Sequence, residues 1–145
     1  MWYTYINKWE IIDGIVRHFY NIRYAESDDG IHWRRNLATA VGFADESENV
    51  VAKPCVLFEN GIYKMWYSYR RLDSKYTIGY AESPDGIQWT RKDDRIRFPK
   101  NSSDAWDGDM QEYPFIHDFE EGGSRKCFYN GNDYGRTGIG VVDLI

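Results

Sequence analysis

The sequence predicts an all-β protein, a partial β-propeller of about two and a half four-stranded antiparallel blades. Three observations lead there. The chain repeats itself: "YAESDDGIHW" (24–33) returns as "YAESPDGIQW" (80–89), and "MWYTY" (1–5) returns as "MWYSY" (65–69). The repeated words have the period of a strand, since Met65 to Arg70 alternates Met, Tyr, Tyr on one side with Trp, Ser, Arg on the other. Finally, 6 Trp, 12 Tyr and 7 Phe make up 17% of the 145 residues, a composition that favours strands and also suits surfaces on which sugar rings stack.

The first unit spans roughly residues 1–36. Its two repeated words recur after 64 and 56 residues, so this unit carries an insertion of 8 residues between them. The insertion falls around Asn7 to Gly14, where Asp13-Gly14 reads as a turn. The second unit, roughly 48–93, holds four strands, "AKPCVLFEN", "IYKMWYSYR", "TIGYAES" and "IQWTRK". Ser83-Pro84-Asp85-Gly86 turns the chain between the last two, with Pro presetting φ and Gly accepting a positive φ. Asp28 replaces Pro84 in the earlier copy, and Asp28, Asp29 and Asp85 are read as turn formers. A weaker third copy, roughly 106–145, follows in "KCFYNGN" from Lys126 and "TGIGVVDL" from Thr137.

The units therefore contribute three, four and three strands within a single domain; the first lacks its innermost strand and the third its outermost. Closed propellers have about 4–8 blades. The chain is expected to have two raw blade faces and to cover them by self-association, most simply as a homodimer.

Composition excludes several classes. A net charge of −5 and no basic stripe argue against nucleic acid. The basic stretch Arg91 to Lys100 also carries Asp93 and Asp94 and reads as a solvated loop. Cys55 and Cys127 lack metal or disulfide spacing and are expected to be buried thiols. The N-terminus "MWYTYINKWE" shows no signal-peptide pattern and about 18 apolar residues never run together, so no membrane partner and a cytoplasmic location are expected. The sequon at Asn101 is taken as chance.

The segments "ENVVAKPCVLFENGIYKMWYSYR", "IGYAESPDGIQWTRK", "WDGDMQEYPF" and "FYNGNDYGRTGIGV" resemble the C-terminal half of five-bladed β-propeller glycosidase-like proteins. That superfamily includes arabinanases, β-xylosidases, invertases and mannoside phosphorylases. The resemblance implies an active site in a central funnel, built from carboxylates on the innermost strands of different blades. It also implies that the nucleophile or base comes from an early blade, ahead of this chain.

Glycoside hydrolysis needs two carboxyl groups, about 5 Å apart for retention or about 6.5–9.5 Å for inversion. The densest acidic cluster, "DAWDGDMQEYPF", offers Asp104, Asp107, Asp109 and Glu112; a second, "DESENVVAKP", offers Glu46 and Glu48. Both precede predicted inner strands, so Asp107, Asp109, Glu112 and Glu48 are the catalytic candidates. Arg70, Arg71, Asn130, Asn132 and Arg136 could bind sugar hydroxyls, and Tyr113 beside Glu112 joins them.

No cofactor or metal is expected. The glycines at 131, 135, 138 and 140 open no helix that could hold a pyrophosphate. His18, His32 and His117 lack ligand spacing, the acidic loop is not an EF-hand, and no Gly-x-Ser-x-Gly motif is present. Three classes remain: a glycosidase-like enzyme, a carbohydrate-binding module without catalysis, and an assembly unit.

Overall fold

The computed structural model describes residues 1–96, 98, 102–119 and 124–144. The sequon at Asn101 lies outside them. Among the described residues the chain forms ten strands: β1 (Trp2–Ile12), β2 (Ile15–Glu26), β3 (Arg34–Val41), β4 (Glu48–Glu59), β5 (Ile62–Arg71), β6 (Thr77–Ser83), β7 (Thr90–Arg91), β8 (Glu112–Asp118), β9 (Arg125–Asn130) and β10 (Ile139–Leu144). A 3-10 turn at Asp93–Arg95 follows β7, and a helical turn, α1 (Asn132–Gly135), precedes β10.

These strands make three antiparallel units. In the first, β2 lies between β1 and β3; in the second, β4, β5, β6 and β7 run in order; in the third, β9 lies between β8 and β10. One parallel pairing, Tyr20 with Val50, links the first unit to the second. The inserted residues extend a hairpin, with β1 and β2 paired out to Ile12 and Ile15. Its turn places Asp13 and Gly14 at φ 51° and 75°, the left-handed pair that a tight hairpin requires.

The repeated SxDG word builds a larger turn than the expected four-residue hairpin. The Asp85 carboxylate accepts the amides of Ile87 and Gln88, both at 2.8 Å, and the Ser83 hydroxyl accepts that of Gly86 at 2.8 Å. Trp89 closes the loop by donating its indole N–H to the Gly86 carbonyl at 2.9 Å. Because the aspartate captures these amides, the strand expected over Ile87–Lys92 shortens to Thr90–Arg91. Asp29 and Ser27 build the same loop in the first unit.

Neighbouring units pack face to face. Met65, Tyr67 and Ala81 of the second unit meet Ile22, Val41 and Trp2 of the first. On its other face, Trp66 and Tyr80 meet Ile116, Cys127, Val142 and Leu144 of the third. Cys127 is buried as expected, whereas Cys55 is only half-buried; both are free thiols.

The units are also pinned by a polar joint that the repeat carries. Each inner strand breaks its ladder just ahead of a proline, at Lys53-Pro54 in β4 and Tyr113-Pro114 in β8. Lys53 and Tyr113 both sit at φ 55°, so their amides point out of the sheet and need another acceptor. The Thr4 hydroxyl takes the Lys53 amide at 3.1 Å and the Ser68 hydroxyl takes the Tyr113 amide at 2.8 Å. Thr4 and Ser68 are the same letter of "MWYTY" and "MWYSY".

Ser68 is fully buried, so Ser68→Ala strands the Tyr113 amide and is expected to cost about 1–3 kcal/mol. Thr4 is exposed, water can replace its hydroxyl, and Thr4→Ala is expected to cost well under that. Denaturant melts of the two variants side by side check the contrast.

Candidate functional site

The joint also fixes which residues correspond between inner strands. Aligning the two left-handed residues pairs Glu112 with Ala52 and Glu48 with Gly108. The two glutamates, expected just ahead of their inner strands, instead open them, and they occupy different levels.

Glu48 is locked into the fabric of the fold. Its side chain is wholly buried and receives Arg91 through both oxygens, at 2.6 and 3.0 Å. The Ala44 amide donates to it at 2.8 Å. Arg91 in turn holds Asp93 at 2.6 Å, and Asp93 accepts from the Tyr67 hydroxyl at 2.5 Å and the Tyr80 amide at 2.8 Å. This network binds β4 to the far edge of its own unit.

Asp107 is likewise buried, accepting from the Tyr129 hydroxyl at 2.8 Å and the Gln111 amide group at 3.1 Å. Asp109 is exposed, in a cleft of about 320 Å³ that also takes in Arg71, Lys75, Tyr76 and Met110.

Glu112 is different. It opens β8 with none of its surface exposed, and neither carboxyl oxygen makes a hydrogen bond. Burial pushes its pKa up to about 7; the Tyr113 hydroxyl, which approaches outside good hydrogen-bond geometry, and the positive charges of Arg70 and Lys53 temper the rise. A carboxylic acid that keeps its proton near neutrality is the group that acid chemistry requires.

The residues around it come from all three units. The Arg70 guanidinium, on β5, donates to His18 Nε2 at 3.3 Å and lies 4.9 Å from the centre of the Tyr76 ring. His18, on β2, stacks on Tyr20 at 4.5 Å and meets Trp9 edge-on at 5.5 Å. Burial and the charges of Arg70 and Arg17 hold the His18 imidazole below its ordinary pKa, so it is neutral at pH 7. Tyr76 is buried and its hydroxyl is pushed up to about 12. Its ring lies 6.2 Å from that of Tyr134. Lys53 lies over the Tyr113 ring at 5.2 Å.

The other candidates separate by partner. Arg71 grips Asp45 at 2.7 Å and lies 3.8 Å from Glu48, a rim ion pair. Asn132 is a clamp: its carbonyl oxygen accepts the amides of Asp109 and Met110, and its NH₂ donates to the Ala105 carbonyl. Asn130 donates to the Tyr134 carbonyl at 3.2 Å, and Arg136 forms an exposed pair with Asp133 at 2.5 Å. Asp133 and Tyr134 sit at φ 52° and 61°, a left-handed step that carries the Tyr134 ring toward Tyr76. Among the described residues, no group of three His, Cys, Asp or Glu side chains is arranged to hold a metal ion.

Sequence reasoning missed His18, Tyr76, Lys53 and Tyr134. One signal was available, because Lys53-Pro54 and Tyr113-Pro114 occupy matching places in the repeat.

Glu112 also sets a pH dependence. Below about pH 4.5 folded and unfolded chains both hold this proton; between about 4.5 and 7 only the unfolded chain releases it, so stability falls as pH rises. Asp45 and Glu59, ion-paired and held at about 2, titrate below this window. Glu112→Gln is expected to remove the loss, raising stability by about 2–3 kcal/mol at pH 8 and leaving it little changed near pH 5. Melts of both proteins at the two pH values measure it.

No protein-family profile matches this sequence. Two uncharacterised proteins of Mycobacterium tuberculosis, from strains CDC 1551 and H37Rv, are 37% and 36% identical to it over 146 residues, covering 99% of this chain and 46% of each relative. The chain thus spans about half the length of the curated relatives it matches. Among solved structures, a thermostable family-43 glycoside hydrolase aligns with TM-score 0.68 at 18% identity, over 99% of this chain and 50% of its own. Zg3597, a family 117 glycoside hydrolase from Zobellia galactanivorans, gives 0.67 at 21%, over 85% and 37%. The Bombyx mori GH32 β-fructofuranosidase BmSUC1 gives 0.64 at 18%, over 98% and 30%. Together with its three stacked units, these likenesses establish the fold: the chain is built as part of a propeller-type glycoside hydrolase fold.

Proposed function

We propose that this chain is the C-terminal part of a glycosidase-like propeller and forms a carbohydrate site centred on Glu112. The observation that carries the reading is a buried, unbonded carboxyl group that retains its proton near pH 7, flanked by Arg70 and aromatic rings. A protonated carboxyl donates to a glycosidic or hydroxyl oxygen, and tyrosine rings stack on sugar faces. Since the carboxyl is closed off from solvent, a ligand engages it after a neighbouring side chain moves. Arg70, held by one hydrogen bond to His18 and by its contact with the Tyr76 ring, is the side chain whose shift would open it.

Hydrolysis also needs a second carboxylate. Glu48 and Asp107 are taken up by their structural partners, which leaves Asp109 as the candidate within the chain. Without that second group the same site binds sugar and does not cleave it. The funnel is completed by a second copy seated on the third unit. There Phe115, Phe128 and Val141 form a cross-strand row equivalent to the covered row Cys55, Trp66 and Tyr80. Phe115 and Val141 are 59% and 50% exposed, an apolar face of the kind that finds a partner.

Two measurements test this. Calorimetry against mono- and oligosaccharides, with aryl glycosides as turnover substrates, is expected to show binding that Glu112→Gln weakens about tenfold. Activity that survives Glu112→Gln combined with Asp109→Asn removes the assignment. Sedimentation is expected to show a dimer that Phe115→Ser with Val141→Ser returns to a monomer; a wild-type monomer defeats the self-association.

A further inference from the structure

Arg70 differs from the arginines of β5, β7 and β9 that hold carboxylates. Arg71, Arg91 and Arg125 each grip a carboxylate, at 2.7, 2.6 and 2.6 Å. Arg70 has no carboxylate partner among the described residues; its contacts are His18 Nε2 and the Tyr76 ring. Lys53 is in the same position, with only the Tyr113 ring beneath its ammonium. In a chain of net charge −5, two cations without a carboxylate ion pair act on the one Glu112 carboxyl and form a local positive centre. Glu112, the acid that feels both of them, is pushed up to about 7 by burial, so at neutral pH it cancels only part of that charge.

We propose that Arg70 and Lys53 receive the carboxylate of an acidic sugar, so that the ligand of the site at Glu112 is a uronic-acid-containing glycan. The inference rests on the carbohydrate reading above and narrows it. The planar guanidinium matches a carboxylate through two parallel N–H donors. The Tyr76 ring, 4.9 Å away, steadies it as a cation–π partner. Arginine can only donate, so His18 Nε2 is the acceptor of their bond and the imidazole proton sits on Nδ1. That leaves Nδ1–H to donate to a neighbouring sugar hydroxyl. Lys53, exposed on the bulge of β4, adds a second positive charge from the adjoining strand.

The test is calorimetry on the full chain at pH 7, comparing oligomers of galacturonic and glucuronic acid with the matched galactose and glucose oligomers. A charge-assisted pair predicts at least about tenfold tighter binding of the acidic series. The preference should shrink at about 0.5 M salt, where exposed charges are screened. Arg70→Gln should abolish it, Arg70→Lys should keep part of it, and Lys53→Gln should reduce it. Matching melts confirm that the variants fold. If neutral oligomers bind as tightly as acidic ones, and Glu112→Gln weakens both, the acidic-sugar inference is overturned while the carbohydrate reading stands. Unchanged uronate affinity in Arg70→Gln overturns it as well. If neither series binds, both readings fail together.

Discussion

The structure depends on a backbone amide that the sheet cannot satisfy. Each inner strand takes one left-handed step ahead of a proline, and that step turns an N–H out of the ladder. A buried amide without an acceptor is costly. The repeated word supplies the acceptor from the preceding unit, Thr4 for Lys53 and Ser68 for Tyr113. The bond is buried at Ser68, where it pins the third unit against the second, and exposed at Thr4, where water can stand in. In the third unit the residue immediately ahead of the kink is Glu112. Its burial, and hence its retained proton, follows from where β8 is pinned against β5.

The same chemistry gives opposite results at residues of the same type because partners differ. Glu48 and Glu112 are both buried glutamates at the start of an inner strand. Arg91 reaches Glu48 with a bidentate grip and makes it part of the scaffold. Glu112 meets no such donor, so desolvation dominates and the acid form persists. Arg70 and Arg71 are adjacent on β5 and alternate faces. Arg71 falls on Asp45 and is neutralised, while Arg70 falls on His18 and Tyr76 and keeps its charge uncompensated. Alternation along a strand separates a rim ion pair from a candidate site residue in one step of sequence.

This explains what could be read in advance. The repeat, its period-two words and the three, four, three count of strands are local in sequence, and the structure has them. The place of the insertion was legible too, because two repeats with different offsets bracket the hairpin of β1 and β2. The end of the SxDG turn was not, since capture of two amides by Asp85 shortens β7 through side-chain bonds that propensity does not report. The site was legible in part. Glu112 stood in the acidic cluster, but so did Asp107, and what distinguishes them is the donors that reach Asp107, the Tyr129 hydroxyl arriving from β9 and the Gln111 side chain. His18 and Tyr76 carry no motif; they matter because three units converge at one end, a consequence of packing rather than of any local pattern.

The acid and the cations also constrain each other. A ligand carboxylate held by Arg70 and Lys53 brings negative charge toward Glu112 and removes the positive potential that favours ionisation of Glu112. Both effects raise the proton affinity of Glu112. By linkage, the protonated acid must then strengthen anion binding to the same degree, because an ionised Glu112 would compete for Arg70 and repel the ligand. A neutral sugar has no such coupling, since its arrival leaves the charge beside Arg70 unchanged. With an unbonded acid acted on by two cations, occupation by an anion and retention of the proton would therefore favour each other, and each would depend on the inner strand staying where Ser68 holds it.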